Sequence, residues 1–335
     1  MSGPDDAPPG DAWRPALDRA GLARRAAALA AIRAFFAARS VLEVDTPQLV
    51  RHAVTDPALH SAEVRWPGGR AATAGPPAGY LHTSPEYAMK RLLAAGSGDI
   101  YQLCHVFRGD EQGPLHEPEF MLLEWYRVGW PMRRLGEEVD ALLRVLHPGP
   151  LPPVRWLAYD EAFRGQLGVS ALADPMPRLV ECARAAGFEA ALLERCGRDE
   201  LLDLLVGTTI GPRLGRDGPV FLHGYPASQA ALARLDPADP RTALRFELYL
   251  DGVELCNGFE ELADAREQRA RFAADRATRA ARGLVVPDAD AFLLQALESG
   301  LPASSGVAVG IDRLLMLAAG GQRLDAVLPF RSERA

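Results

Sequence analysis

One long-looped hairpin constrains this chain more than any other feature. Residues 100–107 read as a strand, and so do residues 120–128. Between them, residues 109–118 hold two glycines and two prolines, which mark a loop. A second hairpin follows later. Residues 244–250 and 253–256 flank Asp251-Gly252, a strong two-residue turn signal. A short strand at 307–309 runs into a helix that starts at 311. Helical patterns surround these strands. Leu22, Leu29, Ile32 and Phe36 recur at helical spacing within 20–39, and 41–44 is extended before Pro47. Ser84-Pro85-Glu86 opens a helix that stops at Gly96: Ser caps, Pro suits the first helical position, and Glu suits the positive end of the dipole. Residues 264–282 form a helix ended by Gly283. Residues 67–79 read as a loop between strands, and 131–240 carry helical patterns with Pro-rich connections and no recognisable chemistry. Antiparallel strands with helices set around them predict an α+β fold, an antiparallel sheet flanked by helices. There is no internal repeat.

Composition excludes several classes. The 335 residues are 48% apolar and 24% charged, which is ordinary for a globular protein with a large core. No apolar run reaches the ~18 residues that cross a membrane, and no basic start with an apolar stretch resembles a signal peptide. The cysteines at 104, 182, 196 and 256 form no CxxC pair, which argues against structural zinc and fits free thiols in a reducing cytoplasm. No membrane partner is expected. The net charge of −7 argues against a chain that mainly grips a nucleic acid backbone. Of 37 basic side chains only Lys90 is a lysine, an excess of Arg that fits GC-rich coding. Residues 1–12, rich in Pro, Gly and Asp, are expected to be a flexible tail.

Three segments carry chemistry. In 107–127, alternation puts Phe120, Leu122, Glu124 and Tyr126 on one strand face, with Arg108 at the loop mouth. Such an Arg can fork onto a phosphate, Phe120 can stack on a flat base, and Glu124 with Tyr126 can hold an ammonium group. The plain alternative is a surface Arg beside a half-buried sheet. In 247–262, Glu254 and Glu261 flank an Asn-Gly pair, Asn257 and Gly258. A chain reversal there would bring both carboxylates to one locus, suited to Mg²⁺. The alternative is a hairpin followed by an acidic helix start. In 304–317, glycines allow close approach, and Arg313 falls in the first turn of a helix, a place that can receive polyphosphate. The alternative is a tight strand-to-helix turn.

Together, in this order, the three resemble motifs 2 and 3 of class II aminoacyl-tRNA synthetases. VLEVDTPQLV (41–50) resembles motif 1, the dimer-forming helix and strand of that class. TSPEYAMKRLL, HEPEFMLLEWYR, ELCNGFEEL and GIDRL look like the lysyl-tRNA synthetase branch, over residues 20 to 330. Only 40 residues precede the motif 1 strand, whereas the anticodon-reading OB-fold of that branch needs on the order of 100. The expectation is one catalytic domain over 13–335 without that barrel. YQLCHVFR (101–108), YPASQAALA (225–233) and ELCNGF (254–259) are similar to a stand-alone branch, the elongation factor P–(R)-β-lysine ligases.

The resemblance implies residue roles. Arg108 and Arg313 are the catalytic pair that binds the ATP phosphates. Phe120 stacks under adenine and Asp110 meets its edge. Gly109, Glu117, Leu255 and Gly310 complete the ATP site. Glu254 and Glu261 coordinate Mg²⁺ or contact substrate. Ser84, Pro85, Glu86, Glu124, Tyr126, Asn257 and Ala308 line the amino-acid pocket with Glu261. Glu86 has a competing reading as an ordinary helical ion pair with Lys90. Some positions depart from the family pattern: Gly109 replaces a polar residue, Glu117 an Asn, and Glu260 a His or Ser. Ala308 matches the ligase branch where lysyl-tRNA synthetases have Gly, and a pocket methyl is worth only about 1–3 kcal/mol of discrimination.

The resemblance thus implies a homodimeric ATP- and Mg²⁺-dependent ligase. It would activate (R)-β-lysine, or lysine, as an adenylate and pass it to a lysine side chain of elongation factor P, without tRNA. The alternatives are a truncated lysyl-tRNA synthetase that charges tRNA and a catalytically inactive lysine sensor.

Overall fold

The computed structural model describes residues 13–65, 77–109 and 111–335. The tail at 1–12, most of the 67–79 loop, and Asp110 lie outside the described residues. The chain opens with α1 (Arg19–Ala37) and the short strands β1 (Leu42–Glu43), β2 (Leu49–Val50), β3 (Glu63–Val64) and β4 (Gly79–Leu81). Next come α2 (Glu86–Ala94), the hairpin β5 (Ile100–Phe107) and β6 (Glu119–Val128), and α3 (Met132–Leu146). The middle region holds β7 (Arg155–Ala158), α4 (Tyr159–Leu167), α5 (Met176–Ala185), α6 (Ala190–Leu193), α7 (Arg198–Leu205) and β8 (Val220–Pro226). The last part is β9 (Thr242–Leu250), β10 (Val253–Glu260), α8 (Ala265–Ala281), α9 (Ala291–Gly300), β11 (Ser304–Gly310) and α10 (Ile311–Ala318).

Eight strands form one sheet in the order β1-β5-β6-β11-β10-β9-β8-β7. The six central strands are antiparallel, and only the outer pairs β1/β5 and β7/β8 are parallel. This is the expected α+β architecture. The long-looped hairpin forms with Ile100 opposite Tyr126 and Phe107 opposite Glu119.

Alternation along β6 sorts its two faces. Leu123 and Trp125 are fully buried against α1 and α3, in a core with Ile32, Phe36, Leu135 and Val139. Each such side chain contributes about 1.5–3 kcal/mol by leaving water. Phe36 stacks on Tyr101 at 4.4 Å and meets Trp125 edge-on. Arg127 also points to this face and forks onto Glu138 at 2.9 and 2.7 Å, locking α3 to the sheet. The opposite face, with Phe120, Leu122, Glu124 and Tyr126, is left for a cleft.

Three local expectations need correction. Pro85, not Ser84, takes the N-cap position of α2, although Ser84 Oγ still accepts the Glu86 N–H at 3.0 Å. Asn257-Gly258 makes no turn; both residues lie inside β10, which runs on to Glu260. Glycine is required there for space, because a Cβ on Gly258 would come within 2.3 Å of the Phe246 ring. The region 131–240, read as helical, contributes strands β7 and β8. Val220, Phe221 and Leu222 are all buried, so β8 shows no polar–apolar alternation to betray it.

Candidate active site

A cleft of about 1030 Å³ opens over the free face of the sheet. The central strands supply its floor. Glu124 on β6 stands directly opposite Ala308 on β11, Ala308 opposite Asn257 on β10, and Asn257 opposite Glu247 on β9. The start of α2, the 109–118 loop, residues 47–61 and α8 wall it in.

One end is acidic. Glu124 accepts hydrogen bonds on both oxygens, from Ser84 Oγ and from Tyr126 OH, each at 2.6 Å. Burial, then the charge of Glu86, pushes its carboxyl up to about 7. Glu86 and Lys90 lie one helical turn apart on α2, with Lys90 Nζ 2.7 Å from Glu86. The same Nζ lies 2.6 Å from Glu261 Oε2. Glu86 forms the helical ion pair and also lines the cleft. Burial pushes the Lys90 ammonium down, but Glu261 and Glu86 outweigh this and hold it above its ordinary value. Burial pushes Glu261 up to about 8, Lys90 opposing. The ammonium is charged, and burial together with like charge pushes Glu124 and Glu261 up. Gly306 lets this group close up, since a Cβ there would sit 2.3 Å from the Tyr126 ring and 2.6 Å from Glu261 Oε1.

The other end is basic and aromatic. Arg108 lies beside the Phe120 ring, 5.1 Å from its centroid, and its Nε points to the Thr83 carbonyl at 3.4 Å. Arg313, in the first turn of α10, donates to the carbonyls of Leu115 and Glu254, both at 3.1 Å, and meets His116 Nε2 at 2.7 Å. Burial and the Arg313 charge push His116 down, so the ring accepts from the guanidinium. Glu254 lies on the floor 3.8 Å from Arg313 Nη1, and burial among the cleft walls pushes its carboxyl up. Its side chain keeps two-fifths of its surface accessible, so water in the cleft moderates that push. Leu255 and Gly310 line the cleft beside it.

Glu254 and Glu261 do not share a locus. Glu254 lies near the start of β10 and Glu261 directly after its end, roughly 20 Å apart at the rise of an extended strand. With no reversal at Asn257-Gly258, the structure places Glu254 beside Arg313 and Glu261 beside Lys90. Among the described residues, no three His, Cys, Asp or Glu side chains cluster closely enough to hold a metal alone.

The departures at Glu117 and Glu260 are neutralised locally. Glu117 is buried, bonded to Arg331 Nε and, at 2.9 Å, to the Ser332 N–H. Glu260 turns to Arg234 and the Met132 N–H. Gly109 donates its N–H to the His60 carbonyl at 2.8 Å, joining the loop to the cleft wall.

Sequence reasoning missed a second polar group on the floor. Arg245 Nη2 bonds Glu247 at 2.6 Å, and its Nε donates to Asn257 Oδ1 at 3.2 Å. Tyr249 OH donates to the other oxygen of Glu247 at 2.8 Å. Arg245, Glu247 and Tyr249 alternate along β9, a period-2 signal that points them to one face.

The family model "tRNA synthetases class II (D, K and N)" matches residues 13–145 and 195–334. A protein of Erwinia tasmaniensis is 47% identical over 325 residues, 96% of this chain and 98% of its own length. One of Vibrio cholerae is 47% identical over 324 residues, and one of Klebsiella pneumoniae 46% over 326, with the same coverage. All three are named elongation factor P–(R)-β-lysine ligase. A cleft with carboxylates at one end and two arginines at the other lies on a sheet of the class II kind, and this chain belongs to the family of the elongation factor P–(R)-β-lysine ligases, ATP-dependent ligases built on the class II aminoacyl-tRNA synthetase domain.

Proposed function

We propose that this chain activates (R)-β-lysine with ATP and transfers it to a lysine side chain of elongation factor P. The observation that carries the reading is the polarity of one cleft. Three carboxylates and one ammonium form one end, leaving formal room for two positive charges, while Arg108, Phe120 and Arg313 form the other. A substrate with two ammonium groups and a carboxylate complements that layout. Ala308, between Glu124 and Asn257, supplies the pocket methyl that favours the β-isomer.

The ammonium groups bind among Glu86, Glu124 and Glu261, and the substrate carboxylate points toward the arginines. Arg108 and Arg313 hold the triphosphate, and Phe120 stacks under adenine. The carboxylate attacks the α-phosphorus, the bond to the bridging oxygen breaks, and pyrophosphate leaves. The arginines stabilise charge on the phosphoryl oxygens, and positioning supplies most of the acceleration. The acceptor amine then attacks the mixed anhydride, AMP leaves, and an amide forms. Glu254 fits Mg²⁺: it offers hard oxygens on the floor beside Arg313, with partial solvent access. When bound, the ion adds positive charge at the triphosphate.

The reading includes a catalytic domain over 13–335, a two-fold homodimer through α1 and β1, a cytoplasmic setting with its acceptor, and no tRNA. The unpaired thiols of Cys104, Cys182, Cys196 and Cys256 suit that compartment. No helix among the described residues is long and apolar enough to cross a membrane.

ATP–pyrophosphate exchange with (R)-β-lysine and α-lysine, followed by transfer assays with elongation factor P and with tRNA, tests the proposal. Exchange with a lysine isomer and labelling of the protein are expected. Robust tRNA charging with no protein labelling would overturn it, and no exchange with any lysine isomer would favour a sensor.

A further inference from the structure

The molecule's only lysine is spent inside the acidic end of the cleft, where no step above uses it. Lys90 is 1% exposed and does not line the cleft; it lies behind the two carboxylates that do. Its Nζ is 2.7 Å from Glu86 Oε1 and 2.6 Å from Glu261 Oε2. We propose that Lys90 is the positioning residue of the amino-acid pocket: its ammonium draws Glu86 and Glu261 together, opposes the protonation that burial favours, and turns both carboxylates toward the substrate's ammonium groups. This rests on the functional reading above and deepens it.

The clamp is built from two distant parts of the chain. α2 supplies Glu86 and Lys90 one turn apart, and the residue after β10 supplies Glu261. Lys90 is the only cation among the described residues that pairs with either carboxylate. The other titratable groups facing the cluster are Glu124 and Tyr126 of β6, Tyr87 of α2 beside Glu86, and Cys104 of β5 beside Glu124, with Asp56, Asp275 and Asp290 beyond Tyr87. None of these is a cation that could replace Lys90, and the packing around them is apolar. α9 packs through Leu293, Leu294 and Leu297, and α8 through Phe272. With Lys90 removed, three carboxylates would share a buried space with no counter-charge. Such groups take up protons rather than stay ionised. The pocket would then lose the charge that attracts a doubly cationic substrate. Glu86 Oε1 and both Glu261 oxygens are buried without a hydrogen-bond partner, so close charge contact with the Lys90 ammonium, at 2.7 Å from Glu86 Oε1 and 2.6 Å from Glu261 Oε2, is what holds this pair. The same clamp silences Lys90. An amine locked as ammonium has no lone pair with which to attack an aminoacyl adenylate formed in the cleft.

The test is ATP–pyrophosphate exchange by full-length Lys90→Met and Lys90→Arg between pH 6 and 9. In Lys90→Met, KM for the lysine substrate is expected to rise ~10-fold or more near neutrality, with KM for ATP unchanged. The acid limb of its KM profile should move to higher pH, and Lys90→Arg should recover part of both effects. A purely structural role would not separate the two KM values or move the limb. Where Lys90→Met fails to fold, the wild-type enzyme still answers. ¹⁵N-lysine labelling gives one side-chain signal from this one-lysine chain. That signal is expected to stay an ammonium at alkaline pH and to shift when unlabelled (R)-β-lysine is added, but not with ATP alone. An ordinary lysine titration without a substrate shift would overturn the proposal, as would an unchanged KM and pH profile in Lys90→Met. Absence of exchange by the wild type with any lysine isomer would instead overturn the functional reading beneath it.

Discussion

Tyr126 OH donates to Glu124 Oε1 at 2.6 Å from two residues along the same strand, while Ser84 holds the other oxygen. Neighbours at that spacing share a sheet face, so β6 itself aims this carboxylate over Ala308.

The acidic end should make the free enzyme pH-sensitive. Glu124 and Glu261 are pushed up to about 7 and about 8. A carboxyl raised on folding binds its proton more tightly in the native state, so its stabilisation is present at low pH and is lost as pH rises through the folded value. Buried histidines act oppositely, but His82, His116 and His223 are all shifted below 6.5 and are neutral above it. Between pH 6.5 and 8 the carboxylates decide. The melting temperature of the free enzyme should fall across that window, and (R)-β-lysine should restore more of it at pH 8 than at pH 6.5. Calorimetric melts with and without substrate check both.

Arg313→Ala should slow adenylation by roughly 100- to 1,000-fold, the range for losing one preorganised charge stabiliser. The free guanidinium is already fixed by Leu115, Glu254 and His116, so it needs little reorganisation to meet a triphosphate. Pyrophosphate exchange measures this, and full activity in the variant would remove the phosphate assignment.

The legible parts of the site are those with local signals. Alternation placed Phe120, Leu122, Glu124 and Tyr126 on one face, and the structure keeps them there. The Glu254–Glu261 pairing failed because Asn-Gly is a turn signal only where the chain is free to reverse. Here Gly258 is needed for the Phe246 ring, and β10 stays extended. Lys90 could be read only as the partner of Glu86, because Glu261 reaches it from a remote strand. Pairings of that kind depend on sheet order, which one sequence does not carry.

Arg331→Ala should destabilise the enzyme by about 3–5 kcal/mol, since it leaves a buried carboxylate unpaired. Glu117 is 3% exposed, and Arg331 also donates to the Gly113 carbonyl at 2.8 Å, so the C-terminal segment pins the hairpin loop. Denaturant unfolding should show the loss. Adding Glu117→Gln should recover part of it by removing the orphaned charge.

Leu42 and Leu22 lie 57% and 43% exposed on β1 and α1, apolar surface that a two-fold contact would cover. β1 is also the edge of the large sheet, and among the described residues it pairs with β5 alone. The enzyme should therefore sediment as a dimer at micromolar concentration. Leu42→Glu should shift it toward monomer, because it would put a charge on the apolar surface that such a contact would cover. Adenylation should weaken along with the dimer. α1 ties directly to the phosphate end: Arg25 binds Asp312 at 2.6 Å, and Asp312 accepts the Met121 N–H at 2.8 Å beside Phe120. A Leu42→Glu protein that stayed dimeric, or a wild type that sedimented as a monomer, would remove this interface.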